Sequence, residues 1–323
     1  MNTQVMNETR TTKVVINTLK RVDYRGEKVL TVDGKKCNKH DDAISAMKTK
    51  KGYRLAVYTA DVPFFVPVNS DYDKNAILKV MNGSDHLVIS KKMANNHCSI
   101  LPGEDKYATA FIFYIGFDGF VHKVEIAKCL IRSKIRGEYS ALDSILFGKT
   151  HSNKYKSILD ELKDMKDLYV LLKSKRLGKN PDAVERKFTS RQMIEEFMIL
   201  VDEMCTWYLR QEGLPTTFTL TKDGKIDPKF GYEKRTMATS PMRRLSDLKI
   251  QQILDMRLNG FSNEEIMNAF DEQIKWIRQM TSKMERNLIS VAVKAPLYYI
   301  CNEDDKADFT ELSEHKKQQL CAA

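Results

Sequence analysis

Between Val32 and Ser45 the chain reads VDGKKCNKHDDAIS, which sets Asp33, Asp41 and Asp42 within ten positions and fills the interval with Lys35, Lys36, Lys39 and His40. Carboxylates this close repel one another unless water or a cation intervenes, and hard oxygen donors of this kind suit Mg²⁺ or Mn²⁺. Lysines can neutralise the same charge, so a solvated turn is the competing reading. Cys37 and His40 also stand at a ligand-like spacing, but two donors alone do not define a zinc site.

The elements that must position these residues are bounded by composition. At 323 residues and 42% hydrophobic, the chain can bury a sizeable core and suits one large domain or two ordinary ones. A formal charge of +10 and a pI near 9.1 favour an anionic partner such as nucleic acid. No apolar run reaches the roughly 18 to 20 residues needed to span a bilayer, and the polar start MNTQVMNETRTTK lacks the apolar core of a signal peptide. A cytoplasmic location is therefore expected. Cysteines at 37, 98, 129, 205, 301 and 321 form no CxxC pair, so reduced thiols are the default. The terminal CAA is one residue short of a prenylation box and implies no anchor.

Apolar runs in the first half read as strands: KVVINTL, EKVLTV, YRLAVYTADV, HLVIS, and ATAFIFYIGFDGFVHKVEIAKCLI folded about an Asp-Gly turn. The second half changes period. Ile158, Leu162, Met165, Leu168 and Leu172 recur at helical spacing, as do Ile194, Phe197, Met198, Val201 and Cys205. The basic KSKRLGKNPDAVERKFTSR between them reads as a connecting loop. Ser262 and Glu265 form a capping box that opens a helix through about Leu288. Strands followed by helices predict an α+β fold, a twisted, largely antiparallel sheet covered by helices from the second half.

The acidic stretch resembles the signature of the ribonuclease II/R (RNB) exoribonuclease family, I-D-x5-D-x-D-D-A, with Val32, Asp33, Asp41, Asp42 and Ala43 in register. Five further segments follow in the family's order. LAVYTADVPFFVP is similar to hIADVshYV, CSILPGEDKYATAF to LCSLNPxxDRLAF, and RSKIRGEY matches S-x-x-R-x-x-Y through Arg136 and Tyr139. RQMIEEFMILVDE is similar to LVEEFMLLANE, and ATSPMRRLSDL to FTSPIRRYxDL. The resemblance runs from about Val14 to Ser290. It implies a lead-in over residues 1–13, an RNB-like catalytic domain over 14–295 and a polar tail over 296–323, which is expected to fray.

The resemblance implies a metal-dependent 3′-to-5′ exoribonuclease that hydrolyses single-stranded RNA to 5′-nucleotides. Phosphodiester hydrolysis needs a water in line and charge stabilisation on the phosphate, which aspartate-held metal ions and a guanidinium provide. Asp33 and Asp42 would hold Mg²⁺ or Mn²⁺, and Asp41 takes the position of the family's most critical aspartate. Arg243 would reach the scissile phosphate, since its planar fork suits two phosphate oxygens. Arg244 is a second candidate for substrate, with a structural role as the alternative. Tyr139, Glu195 and Glu196 match positions near the RNA 3′ end, where they could bond the ribose 2′-OH; a helix-surface charge is the other reading for each glutamate. The Thr239-Ser240-Pro241 turn is expected to position Arg243.

Departures from the pattern matter as well. Lys39 stands where the family has a further aspartate, so its ammonium either supplies part of a second metal's charge, close to Asp41, or weakens the site. A non-catalytic protein that binds RNA or a host protein is accordingly the alternative function. Leu245 replaces a family tyrosine, and His86 lies in a shortened segment that in the family carries an RNA-clamping aromatic. A long helical insertion before TSPMRR is nearly absent, and neither end has room for the flanking oligonucleotide-binding barrels of the family. A bare domain of this kind is expected to grip RNA weakly and to borrow a partner protein's grip.

Overall fold

The computed structural model describes residues 12–82, 87–149, 153–217, 236–287 and 300–301. Strands β1 (Lys13–Asp23), β2 (Leu30–Asp33), β3 (Asp42–Thr49), β4 (Gly52–Ala60), β5 (Asp105–Gly116), β6 (Val121–Arg132) and β7 (Ile135–Glu138) form one sheet in the order β1-β6-β5-β4-β3-β2-β7. The interior pairs are antiparallel, whereas the two edge strands, β1 against β6 and β7 against β2, pair in parallel. Helices α1 (Val62–Phe65), α2 (Asp71–Met81) and α3 (Lys91–Met93) interrupt the strands. Helices α4 (Tyr139–Leu146), α5 (Leu159–Leu177), α6 (Pro181–Glu185), α7 (Ser190–Gln211), α8 (Leu245–Leu258) and α9 (Asn263–Asn287) follow them. Thr216–Thr217 pairs with Ile300–Cys301 in a small separate ribbon. The α+β expectation is met.

Both faces of the sheet are buried, which explains why its central strands read as nearly continuous apolar runs. Along β4, Leu55 and Val57 enter one core with α5 and α7, while Ala56, Tyr58 and Ala60 enter the other with α1, α2 and Met242. On β5, Phe111, Phe113 and Ile115 alternate with Ala108, Ala110 and Ile112 in the same way. The β5–β6 hairpin turns where Asp118-Gly119 directed it, with Gly119 at φ 72°. Helix α5 ends at Gly178, φ 60°, where the Lys179 N–H reaches the Ser174 carbonyl at 2.9 Å and closes the last turn. The Ser262 and Glu265 capping box forms in both directions, at 3.2 Å and 2.8 Å, and opens α9.

Three local expectations differ from the structure. The run Leu87–Ser90 of HLVIS is not a strand: Val88 and Ile89 are buried under the Arg243 segment, and the Val88 N–H donates to the Met242 carbonyl at 3.0 Å. The basic connector after Leu172 is mostly helical, because α5 continues to Leu177 and Asn180 caps the short α6 with Pro181 at its first turn. The RSKIRGEY motif contributes an unforeseen strand, β7. His86, the site of the shortened insertion and most of the polar tail lie outside the described residues.

Candidate active site

The carboxylates gather where β2 ends and β3 begins. Asp33 closes β2 and Asp42 opens β3, and the residues between them loop out over the sheet edge. Parallel pairing of β2 with β7 aligns Asp33 with Glu138, so Tyr139, the first residue of α4, stands beside the end of β2. Helix α7 docks on α4 through the Ser190 hydroxyl, which donates to the Tyr139 carbonyl at 2.9 Å, and through the Ser190 N–H, which donates to Asp143 at 2.6 Å. That junction sets the Arg191 guanidinium 4.5 Å from the centre of the Tyr139 ring.

The loop itself is clipped in place. Arg136 Nη2 donates to the carbonyls of Gly34, Lys35 and Cys37 at 3.4, 3.1 and 2.9 Å. The His40 backbone is held from both sides, its N–H by Ser99 Oγ and its carbonyl by the Ile100 N–H, each at 3.0 Å. His40 is buried, and its Nδ1 makes a short hydrogen bond with Asp33 Oδ2. Sequence reading identified neither the Arg136 clip nor this pairing. The matched arginine of RSKIRGEY was the only available signal.

The arginine enters from the other half of the chain. Thr206 Oγ1 and Asp202 on α7 accept the N–H groups of Thr236 and Ala238 at 2.9 and 3.0 Å, and Gln251 on α8 donates to the Ala238 carbonyl at 2.8 Å. Asp247, fully buried, accepts the Ser240 N–H at 2.8 Å. The turn so fixed delivers two donors to Asp41: the Met242 N–H at 2.9 Å and Arg243 Nε at 2.8 Å. Arg243 Nη2 donates to Ser240 Oγ at 2.8 Å, as expected of a turn that positions the guanidinium. Its Nη1 has no protein acceptor among the described residues, and the side chain is 53% exposed.

Burial pushes the Asp41 carboxyl up in pKa, and Arg243 with the Met242 N–H opposes the shift. Asp42 feels the charges of Arg243 and Arg244, but its carboxylate accepts no hydrogen bond among the described residues. Burial, then the charges of Asp33 and Asp41, push its pKa up to about 8. Tyr139 rises to about 12, through burial and then Asp42 and Asp33, which places its hydroxyl in their field. A carboxylate raised by two carboxylate neighbours, with no donor among the described residues, fits a divalent cation held by Asp33 and Asp42. Asp41 fits such a role less well, since each of its oxygens already accepts a hydrogen bond and it is 3% exposed.

The structure thus brings Asp33, Asp41, Asp42, Tyr139 and Arg243 together, and gives Lys39, Arg244, Glu195 and Glu196 other neighbours. The Lys39 ammonium is within hydrogen-bond or ion-pair reach of none of the three aspartates among the described residues; the cations acting on Asp41 and Asp42 are Arg243 and Arg244. The neighbour that Asp33 gains is His40, one position on. Arg244 takes the structural alternative, forming a two-point pair with Asp247 at 2.9 and 2.7 Å that fastens the start of α8. Glu196 is buried against Arg176 at 2.7 and 2.6 Å, where it joins α5 to α7. Glu195 is half-buried and acts on Tyr169, Lys173 and Arg176 of α5.

A sheet with both faces covered thus carries an acidic loop, and one guanidinium from the second half of the chain is paired to that loop through Asp41. The family model of the RNB domain matches residues 21–227, and the chain belongs to that family. Ribonuclease R 1 of Lactococcus lactis is 26% identical over 290 residues, which is 79% of this chain and 33% of that protein, so the chain spans about a third of that relative's length. Mycoplasma genitalium RNase R shares the fold at 20% identity over 78% of this chain and 54% of its own. The TM-score is 0.67 for its apo form and 0.66 for its complex with ribose methylated single-stranded RNA. Yeast Ssd1, described as a pseudonuclease, aligns with a TM-score of 0.58 at 13% identity over 74% of this chain and 40% of its own. Among the described residues no helix is long and apolar enough to cross a membrane.

Proposed function

We propose that the chain is a metal-dependent exoribonuclease that shortens single-stranded RNA from its 3′ end and releases 5′-nucleotides. The observation that carries this reading is the pairing of Asp41 with Arg243, which leaves one guanidinium nitrogen without an acceptor among the described residues, while the guanidinium's charge acts on Asp42. Asp33 and Asp42 would hold Mg²⁺ or Mn²⁺, and the ion when bound would supply charge stabilisation at the phosphate. Arg243 Nη1 would bond a non-bridging phosphate oxygen, held in aim by Asp41 through Nε and by Ser240 through Nη2. Because that aim is fixed before substrate arrives, little reorganisation is needed as charge builds on the phosphate. The Tyr139 hydroxyl, protonated at neutral pH, can donate to the phosphate or accept from the ribose. A basic chain suits the polyanion, and the reaction would take place in the cytoplasm, with a partner protein lending additional grip on RNA.

One observation favours a second reading, an inactive RNA-binding member. Lys39 replaces a carboxylate, and Asp33 is engaged by His40, so the seat offers fewer free oxygens than the family pattern provides. Incubating 5′-labelled single-stranded RNA with Mg²⁺ or Mn²⁺ separates the two. A ladder shortening from the 3′ end supports the enzyme, whereas binding without degradation in either metal supports the second reading.

A further inference from the structure

The loop that carries the acidic cluster also carries a thiol and an imidazole that RNA hydrolysis does not use. Asp33, Cys37 and His40 each offer one ligand atom, and these atoms all lie within 4.8 Å of one another. Ligands around a tetrahedral ion with bonds of roughly 2.0 to 2.3 Å stand about 3.3 to 3.8 Å apart, so small side-chain rotations suffice to bring the three into place. The backbone beneath them is already fixed. Arg136 holds the carbonyls of Gly34, Lys35 and Cys37, the Cys37 N–H closes a turn on the Gly34 carbonyl at 2.9 Å, and His40 is held by Ser99 and Ile100. Cys37 Sγ lies 3.0 Å from the Lys39 carbonyl, and the residue is half-buried rather than sealed.

We infer that Asp33, Cys37 and His40 form a binding site for one borderline divalent cation of the Zn²⁺ class. An oxygen, a sulfur and a nitrogen donor suit such an ion far better than Mg²⁺, which prefers six oxygens and retains its water. Three protein ligands leave a fourth position open to water or to an anionic ligand. Binding balances as follows: the Cys37 thiol releases its proton to solvent as the sulfur–metal bond forms, and His40 binds through Nδ1 with its ring proton on Nε2. In the neutral ring, the hydrogen now shared between His40 Nδ1 and Asp33 passes by way of solvent to Nε2 as the nitrogen–metal bond forms, so one proton in all is released. Because Asp33 is common to this site and to the oxygen seat with Asp42, a Zn²⁺-class ion and Mg²⁺ compete for it. The site itself does not depend on whether the chain cleaves RNA.

The test uses the full chain and Co²⁺ as a spectroscopic stand-in. One equivalent of Co²⁺ added to metal-free protein should produce a near-ultraviolet thiolate-to-cobalt charge-transfer band and visible bands of tetrahedral intensity. Zn²⁺ should abolish both in stoichiometric amount, whereas Mg²⁺, which competes through Asp33 alone, should weaken them only at large excess. Cys37→Ser should remove the charge-transfer band while far-ultraviolet circular dichroism stays unchanged. His40→Asn should weaken Co²⁺ binding by at least about 10-fold. A folded wild-type chain without the charge-transfer band overturns the inference, and so does a band that survives in Cys37→Ser, since another cysteine would then be the ligand.

Discussion

Asp41 and Arg243, 202 positions apart in sequence, meet in a 2.8 Å ion pair whose second carboxylate oxygen accepts the Met242 N–H at 2.9 Å. The two halves of the chain are joined at this point, the strands through β3 and the helices through the turn before α8. The arrangement gives the buried carboxylate two donors and leaves the outer edge of the guanidinium exposed.

That edge should matter for rate more than for affinity. Arg243→Ala should lower single-turnover RNA cleavage by about 10²- to 10³-fold, in line with the loss of one preorganised donor to a charged transition state. Binding should weaken only slightly, because one phosphate contact among several is removed. Arg243→Lys should fail to restore the rate, since an ammonium cannot bond Asp41, Ser240 and a phosphate from one plane. A lysine variant that cleaves at the wild-type rate would show that only the charge is needed.

Divalent cations should stabilise the wild-type fold through Asp42. At Mg²⁺ about 100-fold above its dissociation constant the expected gain is about 2.7 kcal/mol, read as a rise in the thermal midpoint. Asp42→Asn relieves the repulsion with Asp33 and Asp41, so the metal-free variant should be at least as stable as wild type. Its midpoint should no longer respond to Mg²⁺. An equal Mg²⁺ response in both proteins would place the ion elsewhere.

The structure assigns Glu196 to the junction of α5 and α7. Removing one partner of a buried ion pair leaves the other charge uncompensated, so Glu196→Ala should cost about 3 to 5 kcal/mol in urea unfolding. Discrimination between RNA and DNA should be unchanged at temperatures where the variant is folded. Loss of that discrimination with stability intact would return Glu196 to the ribose.

Lys39 should be dispensable. Its ammonium meets none of the aspartates among the described residues, so Lys39→Ala should change cleavage by less than about 3-fold, the range of an exposed or half-exposed charge in high dielectric. A collapse of activity in steady-state assays would mean that the lysine moves onto the site when RNA binds.

Legibility in the sequence followed periodicity and local chemistry. The β5–β6 hairpin was readable from Asp118-Gly119 and α9 from Ser262 and Glu265. The meeting of Asp41 with Arg243 was readable only through the resemblance, because nothing local links residues so far apart. Val88 and Ile89 were misread as a strand because a short buried apolar run has the same composition whether it pairs in a sheet or lines the floor of another segment. That His40 meets Asp33 while Lys39 does not reach Asp41 depends on loop direction, which Arg136 and Ser99 impose from distant strands and loops. Alternation rules do not apply inside such a loop. Glu195 and Glu196 shared one motif, yet one turns half outward and the other into the helix interface, since adjacent helical positions point about 100° apart.

The most direct measurement compares wild type with Asp41→Asn on the same 5′-labelled single-stranded RNA, following cleavage and equilibrium binding together. Asparagine can still accept the Met242 N–H but offers Arg243 no charge, so the guanidinium loses its anchor while the loop keeps its shape. The account predicts that wild type yields a ladder shortening from the 3′ end with Mg²⁺ or Mn²⁺, and that the variant binds RNA within a few-fold of wild type yet leaves it intact. Equal cleavage by the two proteins would contradict it.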